Sequence, residues 1–386
     1  MDLVAVAGWE ARASALTDRL IELGVLVDPG WIKAFKDVPR HVFVPEVLRG
    51  GGVISASDPE WLDLVYSDET LRTQTIAAGE GIGRHEIPTS SSSRPRVMAA
   101  MLARLGARPG HRVLEIGTGT GYNTGLLGHF LGPDHVASID IDPGLIETAR
   151  HYLAAIGQHP HLTAGDGAEG WPEHGPYDRI IATCAVTSIP PAWIDQLADG
   201  GTIVAPFDAG EAGPLLVLTK TKPGEVTGRI DPYPAHFMPL RQRADSPLGP
   251  GQTTGFTEPG IPAYGTTTLN PKDVVDVEGT DLALFLWLHA PGLRLASAPG
   301  RVFVHTDTAL AQADLEPVEP GRWPVQQRGT MRLWDTVEHA YRSWLDLGRP
   351  DPSRFGVSAP RDEDQFVWLD NPDSLYSWPL PVPSPL

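Results

Sequence analysis

Residues Val113 to Tyr122 read V-L-E-I-G-T-G-T-G-Y, and no other stretch of the chain limits its possible folds so strongly. Apolar residues interrupted by one acid run straight into three glycines at alternate positions, so a buried strand must turn abruptly into the start of a helix. Glycine suits such a turn because it reaches backbone angles that other residues avoid and lets a ligand approach the main chain. Dinucleotide folds carry a third glycine three residues after the second, and here that position is Tyr122. The pattern is therefore G-x-G-x-G. Glu115, two residues before the first glycine, would put a carboxylate at the end of the strand, within reach of a cationic ligand.

The residues that follow give this turn its company. A helix is predicted over 123–130, then a strand Val136–Asp140 whose acid lies 19 residues beyond Gly121, where α/β nucleotide folds place a carboxylate for ribose hydroxyls. Leu145, Ile146, Ala149 and Leu153 fall at helical spacing. They lead to Leu162–Gly167, whose Asp166 is suited to accept a hydrogen bond from an adenine amino group. Tyr177–Thr183 reads as the next buried parallel strand. Strands alternating with helices predict an α/β, doubly wound sheet. Asp140 or Asp166 alone could be an ordinary polar strand end; together, at these spacings, they point to a nucleoside-type ligand.

Upstream, helices are expected at Ala13–Leu23 and Trp31–Phe35, followed by Val38-Pro39-Arg40-His41-Val42-Phe43-Val44-Pro45. His41 reads as a residue that fixes an N-terminal lobe through hydrogen bonds rather than as a general base. Four serines, Ser90 to Ser93, precede a helix expected over Val97–Leu105, and Ser90 and Ser91 read as its caps. Downstream, a helix from Pro190 to Leu197 is expected to end at Gly200-Gly201, with strands at 202–206 and 215–218 and an antiparallel hairpin partner near Val226.

The stretch 244–265 is rich in proline, glycine and threonine and reads as a linker. Beyond it lie six of the 11 tryptophans, which predict a core, with a peptide-recognition surface as the alternative. At 386 residues the chain can hold two cores. The expected division is an N-terminal helical lobe with its lead-in (1–90), a ligand-binding domain (91–243), the linker, and an additional C-terminal α+β domain (266–386) that recognises substrate. A formal charge of −18 opposes nucleic acid as a partner. No apolar run approaches the roughly 18 residues of a membrane span, and no signal-peptide pattern is seen, so a cytoplasmic protein without a membrane partner is expected. Cys184 is the single cysteine; it excludes an intramolecular disulfide, argues against a cysteine metal cluster, and reads as a small buried residue beside the ligand. No metal is expected.

The glycine turn with its acids resembles the first motif of class I (Rossmann-like) methyltransferases. V-P-R-H-x-F-V-P, the Y-x-D element Tyr66-Ser67-Asp68 and the serine–proline element Ser93-Arg94-Pro95 are more specific. Over roughly residues 10 to 240 they resemble protein-L-isoaspartate O-methyltransferases. That resemblance implies S-adenosyl-L-methionine as cofactor, contacted by Glu115, Gly117, Thr118, Gly119, Gly121, Tyr122, Asp140, Ile141, Asp166, Gly167 and Thr183. It also implies that Ser93 lies beside the methyl donor and the acceptor carboxylate, with Ser92 next to it where the family carries isoleucine.

The tail, from Arg354-Phe355-Gly356-Val357 through Gln365-Phe366-Val367-Trp368-Leu369-Asp370 to Trp378-Pro379-Leu380-Pro381, resembles a branch that accompanies ATP-grasp ligases in graspetide biosynthesis. The implied substrate is a ribosomally synthesised precursor peptide, already cyclised by the ATP-grasp ligase. Its ordinary aspartate is esterified and then closes to aspartimide or isoaspartate. Three other readings stand beside this one: a repair methyltransferase with an added domain, a methyltransferase tailoring thioether-ringed lanthipeptides, and a non-catalytic cofactor-binding module that escorts a peptide.

Overall fold

Val113–Ile116 (β1) alternates its side chains between two apolar layers, and this sets the architecture. Val113 joins a core formed with the N-terminal helices, whereas Leu114 and Ile116 join a core on the opposite face. Ile181 and its neighbours Ile180 and Ala182 divide in the same way. Successive strand residues point to opposite faces, and both faces here are covered, so these strands are apolar throughout.

The computed structural model describes residues 6–78, 85–244, 261–275 and 281–381. Its main sheet has ten strands. After β1 come Val136–Asp140 (β2), His161–Ala164 (β3), Tyr177–Ala182 (β4), Leu197–Pro206 (β5), Leu215–Lys222 (β6) and Glu225–Asp231 (β7). Phe355–Pro360 (β8), Phe366–Leu369 (β9) and Ser377–Pro379 (β10) complete it. The spatial order is β10-β9-β8-β7-β6-β5-β4-β1-β2-β3. β1 to β5 run parallel, and every pairing from β5–β6 outward is antiparallel. The order reverses between β1 and β4, and a doubly wound sheet binds its ligand at the carboxyl ends of such neighbours.

One face carries the helices Trp9–Glu22, Pro29–Asp37, Pro95–Leu105, Tyr122–Leu131 and Pro143–Ala155. On the other, helices Asp281–His289 and Leu333–Asp346 pack with a five-stranded antiparallel sheet built from residues 263–329. Phe285, Trp287, Val302, Trp334 and Phe355 share one continuous core with Leu114 and Ile116.

The expected C-terminal domain therefore divides. Residues 263–346 form a β-rich layer, but 355–379 return to the main sheet, where β8 pairs with β7 from Arg229↔Gly356 to Glu225↔Pro360. The expected linker lies largely outside the described residues. Trp287, Trp334, Trp344 and Trp368 are buried, so their rings fill the core and present no recognition surface.

Two local expectations are corrected as well. Ser90 and Ser91 are not helix caps: His85–Ser92 is a strand paired with Leu71–Ala78, which takes the serine run into a ladder. Asp68 does the capping, accepting from the Arg96 amide at 2.9 Å. The helix Pro191–Gln196 ends before the glycine pair, and Gly200-Gly201 lies within β5, where its pairing with β4 slips. Among the described residues no helix is long and apolar enough to cross a membrane, and no cluster of metal-ligating side chains occurs.

Candidate active site

All three turn glycines have positive φ, which explains the residue type, but their surroundings differ. A Cβ on Gly121 would lie 3.0 Å from Ala149 Cβ, and one on Gly117 would lie 2.7 Å from Thr183 Oγ1. Those two glycines allow close packing. At Gly119 the nearest atom would be Ser90 Oγ, 3.8 Å away, so the missing side chain opens space. That space belongs to a cavity of about 460 Å³ at the ends of β1, β2 and β4.

Of the residues expected to meet a cofactor, Glu115, Gly117, Thr118, Gly119, Tyr122, Asp140, Ile141, Gly167 and Thr183 line this cavity, together with Ser92 and Ser93. Gly121 and Asp166 do not. Asp166 Oδ1 instead accepts from the Ala168 amide at 2.8 Å and caps the turn that follows β3.

The two remaining acids differ in what they have left to offer. Glu115 is fully buried and accepts from Asn123 Nδ2 (2.7 Å), Ser138 Oγ (2.7 Å) and Thr124 Oγ1. Burial pushes its pKa up to about 7 against the pull of those donors. Its carboxyl thus holds the turn together from within. Thr118 Oγ1 joins the network through Ser138 Oγ at 2.6 Å. Asp140 accepts one amide on each oxygen, from Gly119 at 2.8 Å and Asp142 at 3.0 Å. Burial raises its pKa, opposed by those two amides. Each of its oxygens keeps a lone-pair site for a ligand hydroxyl.

The opposite wall is the serine strand, and Arg40 holds it. Fully buried, Arg40 donates to the carbonyls of Val65 (2.8 Å), Ser67 (3.0 Å), Glu69 (3.2 Å) and Ser93 (3.1 Å), and to Ser92 Oγ (3.3 Å). Burial pulls its pKa down to about 10, so the guanidinium stays charged at neutral pH. Ser92, the strand's last residue, is almost fully buried against this cation, and Ser93 follows it directly before Arg94 and Pro95. Gln74 links the two walls, accepting from Thr89 Oγ1 at 2.8 Å and donating to Asp142 Oδ2 at 3.0 Å.

Sequence reasoning singled out neither Arg40 nor Gln74. An arginine in an apolar run bounded by two prolines was the available signal for the first. His41, by contrast, sits in the N-terminal core with Nδ1 2.8 Å from Tyr66 Oη. Cys184 lines the cavity, and burial pushes its thiol well above the usual range, so it stays protonated.

Comparison with known proteins agrees with this geometry. A family model described as "Protein-L-isoaspartate(D-aspartate) O-methyltransferase (PCMT)" matches residues 11–245. The chain belongs to the protein-L-isoaspartate O-methyltransferase family. The enzyme of that name from Methanopyrus kandleri is 33% identical over 220 residues, covering 55% of this chain and 84% of its own. The one from Hyperthermus butylicus is 34% identical over 241 residues, or 60% and 88%. A solved structure titled protein-L-isoaspartate O-methyltransferase superposes with a TM-score of 0.52 at 21% identity, covering 93% of this chain and all of its own, which is a likeness of fold.

The chain is thus a methyltransferase that uses S-adenosyl-L-methionine, and the cavity fits that cofactor. Its volume lies within the roughly 300–1,000 Å³ of small-molecule sites. The cradle at Gly119 is one that a Cβ would fill, and Asp140 can accept two ribose hydroxyls. S-Adenosyl-L-methionine supplies a methyl group activated on a sulfonium. The protein's part is to hold the acceptor in line and keep water out; positioning of this kind can lower a barrier by about 7 kcal/mol or more. A carboxylate acceptor is already ionised at neutral pH and needs no base.

Proposed function

We propose that this methyltransferase esterifies an ordinary aspartate in a ribosomally made, side-chain-crosslinked peptide. The carboxylate enters past Ser93, whose hydroxyl donates to one oxygen while the other accepts the methyl group. The next backbone nitrogen then attacks the ester carbonyl and expels methanol, giving an aspartimide that persists or hydrolyses to isoaspartate. A single observation carries the carboxyl-transfer part: Ser93 shares one cavity with Gly119 and Asp140. The peptide class is supported by the tail, whose graspetide-like motifs lie in strands of the catalytic sheet. Ser92 supports it too, replacing an apolar family residue with one tied to Arg40.

A second reading, a repair enzyme with added C-terminal residues, is favoured by the solved structure of that name, whose fold follows 93% of this chain. The test is incubation with S-adenosyl-L-methionine and three peptides, followed by mass spectrometry. One is ring-constrained with an ordinary aspartate, one is its linear counterpart, and one is an isoaspartyl peptide. Methyl gain and then methanol loss on the ring-constrained peptide is the expected result. Turnover of the isoaspartyl peptide alone would establish the repair reading.

A further inference from the structure

A second concavity, also of about 460 Å³, opens between helix Trp9–Glu22 and the start of helix Pro95–Leu105. It meets the active-site cavity at Arg94, which lines both. Its floor is the segment from Tyr66 to Glu69, and its walls carry Arg12, Arg19, Arg94 and Arg96.

The charges in this groove do not cancel. Each of its three acids is already engaged: Asp63 with Arg12, Asp68 with Arg96, and Glu69 with Arg49, which comes from outside the groove. Among the described residues, the side chains of Arg19 and Arg94 have neither a hydrogen-bonded nor an ionic partner, and both residues are exposed. Arg72, on the rim of the active-site cavity, is in the same position. Three uncompensated guanidinium groups therefore mark one continuous concave path on a protein of formal charge −18. An extended chain whose reacting carboxylate lies at Ser93 leaves the site past Arg94.

We propose that this groove binds the flank of the substrate peptide and selects acidic side chains there, with Arg94 and Arg19 as their partners. The inference rests on the peptide reading above but is indifferent to ring constraint. Guanidinium–carboxylate contacts are directional, yet solvated pairs are individually weak. Two of them amount to about tenfold in affinity, weakening with salt.

The test uses the full chain with S-adenosylhomocysteine bound and two pairs of fluorescent peptides, one pair ring-constrained with an ordinary aspartate and one isoaspartyl, the members of each pair differing only in carrying aspartates or asparagines beside the reacting residue. Anisotropy reads binding whether or not turnover occurs. In each pair the acidic peptide should bind about tenfold more tightly at low salt, and the gap should close as salt is raised. The doubly substituted R19Q/R94Q protein should bind both peptides of a pair alike, while R19K/R94K should keep part of the preference; an unchanged thermal melt by circular dichroism serves as the folding control. Equal binding by the unaltered protein, or a preference that survives in R19Q/R94Q, overturns the proposal. Failure of the ring-constrained aspartate peptide to be methylated would overturn only the peptide class proposed above.

Discussion

The two halves of the main sheet use the same materials for different ends. On the parallel side, β1 to β4 finish in residues that line a cavity: Gly119, Asp140 and Thr183 follow from strand ends at a reversal of order. On the antiparallel side, β7 to β9 bury theirs in each other. A Cβ on Gly356 would lie 2.2 Å from the Trp368 ring and 2.6 Å from the Gly228 carbonyl, so that glycine serves packing alone. Trp368 also carries Arg229 over its face at 4.7 Å. Polarity of the strands explains the difference, because parallel strands collect their carboxyl ends at one edge whereas antiparallel neighbours alternate theirs.

The comparison breaks most visibly if the tail is removed. Deleting 355–386 bares the β7 edge and takes Phe355, Val357, Val367, Trp368 and Leu369 out of the core. At roughly 1.5–3 kcal/mol for each large apolar side chain, the loss matches or exceeds the whole stability of a typical domain, about 5–15 kcal/mol. The truncated chain should therefore lose its cooperative melt and its cofactor binding together, as read by circular dichroism and calorimetry. A truncation that melts like the full chain would show the tail to be an appendage.

Glu115 sharpens the parallel side. Its pKa is raised from an ordinary 4.5 to about 7 by burial, so between those pH values the folded state holds a proton that the unfolded state has released. Stability must then fall as pH rises through this window, by about 3 kcal/mol in all, and level off above it. In Glu115→Gln this contribution disappears, and urea midpoints at pH 5 and pH 8 should lie closer together than in the unaltered enzyme. Equal pH dependence in the two proteins would mean that Glu115 is not a buried carboxyl.

Asp140→Ala should weaken S-adenosyl-L-methionine binding by about 2–3 kcal/mol, the scale of a charged hydrogen-bonding group, with a much smaller change in melting temperature. Near-normal calorimetric affinity would remove Asp140 from the site. Ser93→Ala has the smallest expected effect, about tenfold in methyl-transfer rate at saturating peptide with cofactor affinity preserved. Full-rate turnover would leave Ser93 a wall residue only.

The cofactor side was legible because its signals are local. The glycine turn, β2 ending in Asp140 and the helix between them follow one another along the chain, and the structure places them as spaced. Arg40 escaped notice because its partners, from Val65 to Ser93, lie 25 to 53 residues away. The serine strand was misread because serine favours helix caps, and only pairing with Leu71–Ala78 overrides that preference. The tail was the least legible region. Phe355–Pro360 reads as a strand anywhere, and nothing within it names Glu225–Asp231 as its partner across more than a hundred residues.

Native-state hydrogen exchange tests the one-sheet account most directly, without any substitution. Interior amides of β8 and β7 should open with the same free energy and denaturant dependence as those of β1 and β4, in one global unfolding event. If β8 and β9 exchanged through a separate, lower-energy opening while β1 to β6 stayed protected, the tail would be an independent unit and the account would be contradicted.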